Sequence, residues 1–261
     1  MAQKLYRTPA QRPIQDPTGS ANGLARYTNM RAWVEQTEAN KGEVFIYEDF
    51  GLGFNCAQRQ ASDETKGAAN SLNMATWKVT AIGAHTEAGS VDCSSTNAAG
   101  LLVIKTNESN NDYVNIALAN DICRPDRAWS FEADFALGDE SGLDLGIGVA
   151  ADVVLTSDAG TAANGALFHR AASGVISCIS SIGGTDTTTA TTTTPVDNTF
   201  IVYGIDYDGI GTLKFYLNGT LVATHTSFVA AQPTRPILEV KNAEGASNTS
   251  YCNHIAFYQP M

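Results

Sequence analysis

The sequence lacks the features that mark secreted, membrane or metal-binding proteins. Its five cysteines are odd in number and widely spaced, with no C-x-x-C pair and no histidine at metal-ligand spacing, so we expect reduced, mostly buried thiols. No stretch approaches the roughly 20 apolar residues of a membrane span, and the start, MAQKLYRTPAQRP, has no apolar signal-peptide run. We therefore expect assembly in a reducing cytoplasm and no membrane partner.

Patterns for catalytic or cofactor chemistry are also missing. The four histidines lie on separate segments without an H-x-H or H-E-x-x-H pattern, which argues against a metal centre. There is no G-x-S-x-G elbow for a serine nucleophile and no G-x-x-x-x-G-K-[ST] loop for phosphate. The sequence predicts no catalytic residues, no cofactor and no metal.

Charge is unevenly distributed along the chain. The 16 basic and 27 acidic residues give a net charge of −11, and a body with this field repels nucleic acid. Residues 1–31 nevertheless carry five basic residues and one acidic residue, a local +4, so the remainder carries −15. The basic start is either a disordered, solvated terminus or an arm that orders on an acidic partner. For that second alternative, the partner-binding candidates are Lys4, Arg7, Arg12, Arg26, Tyr27, Arg31 and Trp33.

From residue 43 onward, the pattern is that of an all-β protein. About twelve short runs rich in Val, Ile, Thr, Phe and Tyr, such as EVFIYEDF, FIVYGIDY and TLKFYL, are bounded by Gly, Asn, Asp or Pro. No helical stretch separates them, whereas parallel βαβ units would need crossover helices. We predict an arm over residues 1–42 with one short helix, and a two-sheet antiparallel sandwich over residues 43–261.

Three segments suggest local structure. Residues 200–224 have the pattern of a three-strand meander in which Asn218-Gly219 forms a type I′ hairpin turn. Asp206-Tyr-Asp208-Gly209 resembles the start of a calcium loop but lacks a closing Glu, so a hairpin turn is the preferred interpretation. The Thr-rich stretch SSIGGTDTTTATTTTPVDN predicts either a solvated edge strand or a flexible loop.

The stretch SFEADFAL has two carboxylates in alternation. Glu132 and Asp134 match the first two acids of the E-x-D-x-E strand motif of laminarinase-like glucanases, but Ala136 stands at the third position. Retaining hydrolysis needs two carboxyl groups, one as nucleophile and one as general acid. We therefore expect Glu132 and Asp134 to face outward, with Phe131, Ala133 and Phe135 inward, in a protein that is not an enzyme.

Aromatic side chains offer an alternative role in sugar stacking. Trp77 and Trp129 adjoin strand patterns and are expected in the core. Tyr207 and Tyr216 are the less core-like pair, one near a turn and the other alternating away from Leu213 and Phe215, and are the candidate glycan-stacking residues.

Several motifs together resemble a known group of proteins. The segments W-x-F-E-x-x-F, G-x-G-x-A and F-Y-x-N-G-x-L-V-A, with N-D-Y-V and a short arm, are similar to concanavalin A-like jelly-roll domains of tailed-bacteriophage virion proteins. The likeness covers about residues 45–260. The resemblance implies a jelly-roll sandwich. Members of this group are mostly not enzymes, and they coat or cement the capsid or form head fibres and tail appendages.

These observations lead to a main hypothesis and an alternative. The main one is a phage virion structural protein, a capsid decoration or cement protein on the capsid exterior. Its arm would contact the major capsid protein or a neighbouring virion subunit, and we expect a homo-oligomer. The alternative is a lectin-like, carbohydrate-binding module of a head or tail fibre that holds a host surface glycan. A glucanase would be supported only by hydrolysis that depends on Glu132.

Overall fold

The computed structural model describes most of the chain from residue 101 onward and four earlier strands. The described residues are 44–48, 70–73, 77–82, 90–92, 101–106, 113–118, 120–151, 163–229 and 232–259. The predicted arm over residues 1–42 lies outside them, as does the helix expected there. Within the described ranges all regular elements are strands, sixteen in number, and no helix suited to crossing a membrane occurs.

The strands form two antiparallel sheets of eight strands each. Sheet A has the order β14-β13-β12-β7-β16-β5-β4, and β1 pairs with the C-terminal half of β16. Its strands are β1 (Val44–Glu48), β4 (Ser90–Asp92), β5 (Leu102–Thr106), β7 (Trp129–Ala136), β12 (Ile201–Tyr207), β13 (Leu213–Leu217), β14 (Thr220–His225) and β16 (Asn248–Gln259).

Sheet B has the order β11-β10-β9-β8-β15-β6-β3-β2. Its strands are β2 (Asn70–Asn73), β3 (Trp77–Ile82), β6 (Tyr113–Leu118), β8 (Leu143–Ala150), β9 (Asn164–Arg170), β10 (Ser177–Ile182), β11 (Thr185–Ala190) and β15 (Arg235–Asn242). The predicted all-β, two-sheet antiparallel sandwich is confirmed.

One hydrophobic core lies between the sheets and explains the alternation in the sequence. Phe131, Ala133 and Phe135 of β7 all belong to it, as predicted. Phe168 of sheet B meets Tyr203 and Phe215 of sheet A, with ring centroids 5.3 and 5.4 Å apart in edge-on geometry. Burial of such aromatic rings from both sheets is the main favourable term that holds the layers together.

The described cysteines behave as small apolar residues. Cys123, Cys178 and Cys252 are free and buried, in agreement with the prediction. Burial raises the pKa of the Cys178 thiol to about 12, so this thiol stays protonated and unreactive at neutral pH. Cys56 and Cys93 lie outside the described residues.

The turn predictions in the meander are confirmed. Strands β12, β13 and β14 are sequential neighbours, and Asn218 and Gly219 have φ values of 49° and 76°, as a type I′ turn requires. The Asp208 side chain forms the preceding turn, since its Oδ1 accepts hydrogen bonds from the backbone N–H groups of Ile210, Gly211 and Thr212, each at 2.9 Å. The Thr-rich stretch contains the edge strand β11.

Four observed strands were not among the twelve predicted runs. They are β2, β4, β9 and β11. For β11, the sequence left an edge strand and a flexible loop as alternatives. Strand β9, with sequence NGALFHR, lacks a clear alternation because its terminal Asn164 and Arg170 are buried polar residues. The Arg170 guanidinium is satisfied there by donating to the carbonyl oxygens of Gly174 and Leu143 and to Glu140 Oε2.

Candidate functional site

The face of sheet A that points away from the core carries a group of polar side chains. They come from β7, β12, β13 and β16, which are adjacent in the sheet. We call this surface the polar face, defined by Ser130, Glu132, Asp134, Asp206, Lys214, Tyr216, His254 and Tyr258. Their outward direction follows from alternation with the core residues of the same strands.

Strand register places these residues in cross-sheet rows. In the first row Lys214, Asp206, Ser130 and Tyr258 are successive partners. In the second row Glu132 lies between Gly204 and Ala256, and Gly204 in turn pairs with Tyr216. Gly204 has no side chain and Ala256 has only a methyl group, so Glu132 has no large neighbour on either side in this row.

Glu132 is the central residue of the polar face. It is 2% exposed, and its Oε1 lies 2.9 Å from His254 Nε2. Burial raises the pKa of Glu132 to about 7, although the hydrogen bond from His254 opposes the shift. Either the imidazole donates its Nε2–H to the carboxylate, or the protonated carboxyl donates to Nε2. The pair therefore has a hydrogen bond in both protonation states of Glu132.

Asp134 is next to this pair on β7. Its Oδ2 accepts a hydrogen bond of 2.8 Å from Asn253 Nδ2. The register of β16 shifts between Cys252 and His254, which makes Asn253 the extra residue of a β-bulge. Because a bulge re-aims the side chains around it, Asn253 and His254 both face the β7 carboxylates. Asn253 is exposed and His254 half-buried, so this rim of the polar face meets solvent.

Two carboxylate oxygens on this face have no hydrogen-bond donor among the described residues. Glu132 Oε2 and Asp134 Oδ1 are both buried and accept no hydrogen bond from that part of the chain. A buried acceptor without a partner costs about 1–3 kcal/mol, and more when it is charged. Native structures seldom keep such groups unless a ligand, ion or water satisfies them. What the pair requires is a source of hydrogen-bond donors, such as hydroxyl groups.

The sequence prediction for Glu132 and Asp134 is confirmed in direction but incomplete. Both side chains face away from the core as expected. Their partners were missed, because His254 is 122 residues from Glu132 in sequence and no spacing pattern links them. Alternation alone places His254 on the outer face of β16, but the bulge that brings Asn253 there has no sequence signature.

The two candidate glycan-stacking tyrosines are both buried. Tyr207 is 2% exposed and packs in the core against Trp129 and Phe228, with ring centroids 5.6 and 5.4 Å away. Its hydroxyl donates to the Pro125 carbonyl at 3.0 Å. The expectation that Tyr207 is one of the less core-like aromatics is therefore wrong, because Tyr207 shares the inward face of β12 with Tyr203 and Ile205.

Tyr216 lies on the polar face and is 8% exposed. Its place there agrees with the predicted alternation away from Phe215. Glycan stacking remains a prediction for both tyrosines, and for Tyr207 it would require the ring to leave the core. Of the two tryptophans expected in the core, Trp129 is there, and the Trp77 side chain is outside the described residues.

His225, on the edge strand β14, forms a second histidine cluster that links the two sheets. Its Nδ1 is 2.8 Å from Ser180 Oγ and its Nε2 is 3.0 Å from Thr189 Oγ1. Burial lowers the pKa of His225, which favours the neutral ring. With His225 3% and Ser180 5% exposed, the cluster is closed, and we assign it a structural role.

The remaining sequence candidates are the arm residues, His85 and His169. The arm residues proposed for partner binding are outside the described residues, as is His85. His169 is on β9 in sheet B. Within the described part of the chain, no group of three or more His, Cys, Asp and Glu side chains is arranged to hold a metal ion.

Comparison with solved structures identifies the fold as a concanavalin A-like jelly roll. The carbohydrate recognition domain of Emp46p in its metal-free form aligns with a TM-score of 0.52 at 12% identity, covering 71% of this chain and 88% of that domain. The Bacillus licheniformis β-glucanase gives 0.52 at 12% identity, with 82% and 97% covered. LamA of Z. galactanivorans, in complex with laminaritriose and laminaritetraose, gives 0.54 at 12% identity, with 85% and 100% covered.

At these identities the likeness shows the fold alone. Lectin-type and glucanase-type proteins both occur among the neighbours, so enzyme status does not follow from the fold. No family model matches the sequence, and no curated protein does either.

Proposed function

We propose that the chain is a non-catalytic carbohydrate-binding module that holds a hydroxyl-rich ligand on the polar face of sheet A. The observation that carries this proposal is the pair of unsatisfied acceptors on β7, Glu132 Oε2 and Asp134 Oδ1. Sugar hydroxyl groups are the donors that such a pair requires. Similarity of the fold to a carbohydrate recognition domain and to glucanases supports the same ligand class.

The absence of catalysis rests on the chemistry of β7. Where a glucanase motif has its third carboxylate, this chain has Ala136, which is 0% exposed and carries no acid. Glu132 Oε1 is occupied by His254, so the carboxyl is held by a neighbouring side chain. A retaining mechanism needs a free nucleophile and a separate general acid, and Ala136 cannot supply the second.

The polar rim offers contacts for a ligand that approaches from solvent. Asn253 is exposed at the β16 edge of the face, and Lys214 is exposed at the opposite edge, on β13. The Asn253 side chain already donates to Asp134. Its other amide N–H and its Oδ1 make no bond to another described residue and can bind a hydroxyl group. The ligand would therefore contact exposed Asn253 first and reach the buried acceptors on local opening.

A second candidate is a structural role in a phage virion, as a capsid decoration or cement protein. The specific observation in its favour is the charge asymmetry, +4 over residues 1–31 against −15 for the rest, which suits an arm that binds an acidic neighbour. This assignment, with its location on the capsid exterior and its partners among virion subunits, rests on the sequence resemblance. The two candidates are compatible, since a virion module can also bind a host glycan.

The binding proposal is tested on a glycan array with three forms of the full chain. Asp134→Asn should lose binding, because the amide nitrogen replaces an acceptor or disrupts the bond from Asn253. Asp126→Asn is the matched control: its side chain is 61% exposed and it is not part of the polar face. The proposal is supported if the wild type and Asp126→Asn bind the same glycan and Asp134→Asn does not. A blank array for wild type, or equal binding by all three, contradicts it.

A further inference from the structure

Strand β11 forms an open edge of sheet B. Among the described strands it pairs only with β10, and five of its six residues, TDTTTA, are exposed. Natural edge strands are usually blocked by lysine, proline, a bulge or a covering segment. Strand β11 has none of the first three, and Asp186 is its only charged residue. The described residues outside β10 reach β11 through the bond between His225 Nε2 and Thr189 Oγ1, and the other five residues of β11 are exposed.

The turn that precedes β11 determines which of its backbone groups are free. Gly183 and Gly184 have φ values of 58° and 81°, and Ile182 pairs with Thr185, so this is a two-residue type I′ hairpin. In such a turn the N–H of the fourth residue bonds to the carbonyl of the first. Thr185 therefore forms a hydrogen-bonded pair with Ile182.

Hydrogen-bonded pairs alternate along an antiparallel ladder. Thr187 and Thr189 therefore also direct their backbone groups toward β10. Asp186, Thr188 and Ala190 direct their N–H and C=O groups to the opposite side, where the sheet ends. Three donors and three acceptors form this free edge, evenly spaced over five residues.

We propose that β11 is an interaction surface for a second copy of this chain, with two β11 strands pairing antiparallel about a two-fold axis at Thr188. In this register Thr188 faces Thr188 of the second copy, and Asp186 faces Ala190. All three outward-directed residues on each strand are then used, which gives six interchain hydrogen bonds. The two sheets B become one continuous sheet.

A second copy suits this edge better than an unrelated peptide because the pairing is self-complementary. Two threonines opposite each other are a favourable cross-strand pair. The only charge, Asp186, meets a neutral alanine, so no like charges oppose each other. The bodies still repel, since each chain carries −11. Pairing through a strand with a single charge between two acidic bodies should therefore strengthen as the salt concentration rises.

Disulfide trapping tests the register directly in the full chain. Two residues in a hydrogen-bonded antiparallel pair have Cα atoms about 5.5 Å apart, inside the range of about 4.4–6.8 Å that a disulfide spans. Thr188→Cys should form covalent dimers on mild oxidation. Asp186→Cys is the matched control, because in this register the two introduced cysteines lie about 13 Å apart along the strands. Wild type measures any cross-linking by the native cysteines.

The expected result is that Thr188→Cys cross-links at least tenfold faster than Asp186→Cys and wild type. Equal rates for the two variants, or faster trapping of Asp186→Cys, would overturn the proposed register. A second measurement is sedimentation equilibrium of Ala190→Lys, which places a lysine opposite Asp186 at two symmetric positions. Dimer formation should tighten several-fold relative to wild type, and a monomer at every protein and salt concentration would overturn the proposal.

Discussion

Replacing Glu132 by Gln should change the pH dependence of stability. Glu132 is buried beside His254 and has a pKa of about 7, whereas the ordinary value is 4.5. Between these two pH values the folded protein keeps a proton that the unfolded chain releases. Raising the pH through this window therefore favours unfolding.

The magnitude follows from the size of the shift. A change from 4.5 to about 7 corresponds to about 3 kcal/mol, at about 1.4 kcal/mol for each pKa unit. The wild type should lose this stability as the pH rises from about 4.5 to about 7. Gln has a similar shape and cannot ionise, so Glu132→Gln should lack this loss. Other charged groups near the site, among them Asp134 and Asp206, are common to both proteins.

Urea unfolding at several pH values between about 4.5 and 8 measures the effect. The difference in unfolding free energy between Glu132→Gln and wild type should grow by about 3 kcal/mol over this range, in favour of the variant. Asp126→Asn, which removes an exposed carboxylate, should follow the wild-type curve. A constant difference between Glu132→Gln and wild type would refute the argument that burial keeps Glu132 protonated.

Two further predictions concern the fold. Phe168→Ala removes a ring that is 0% exposed and should lower the unfolding free energy, measured by urea titration, by about 3–5 kcal/mol. Phe200→Ala, at a position 37% exposed, should lower it far less. Equal losses in the two variants would contradict the burial of Phe168 in the core. Gly138→Ala would place a Cβ in steric overlap with the Thr249 carbonyl oxygen and should cost about 3 kcal/mol or prevent folding. At Gly183 a Cβ meets no atom within 4 Å, so Gly183→Ala should lower the unfolding free energy by only about 1–2 kcal/mol, the strain of an alanine at positive φ. A larger loss at Gly183 than at Gly138 would contradict the close approach of Gly138 to the Thr249 backbone.

The fold was largely predictable because alternation and turn residues report on local structure. Runs such as TLKFYL have one apolar face, and Asn218-Gly219 defines its turn without tertiary information. Strand β9 was missed because Arg170 is a buried polar residue, and its burial depends on carbonyl partners as distant as Leu143. Tyr207 differs from the prediction because it shares the inward face of β12 with Tyr203 and Ile205, and its nearness to a turn does not bring the ring to the surface.

The site was predictable only in part. The outward direction of Glu132 and Asp134 follows from the alternation on β7. The pairing with His254 needs the register of β16, and the approach of Asn253 needs its bulge. These features arise from contacts between strands far apart in sequence, which a single sequence does not encode in any local pattern.

The most direct test of the central claim is a calorimetric titration of wild type and Asp134→Asn. The ligands are laminaritetraose and the glycans selected on the array, and reducing ends are assayed in the same samples. We predict binding of at least one of these ligands by wild type, at least tenfold weaker binding by Asp134→Asn, and no new reducing ends. Failure of every ligand to bind wild type, or release of reducing ends that stops in Glu132→Gln, would contradict a non-catalytic carbohydrate-binding face.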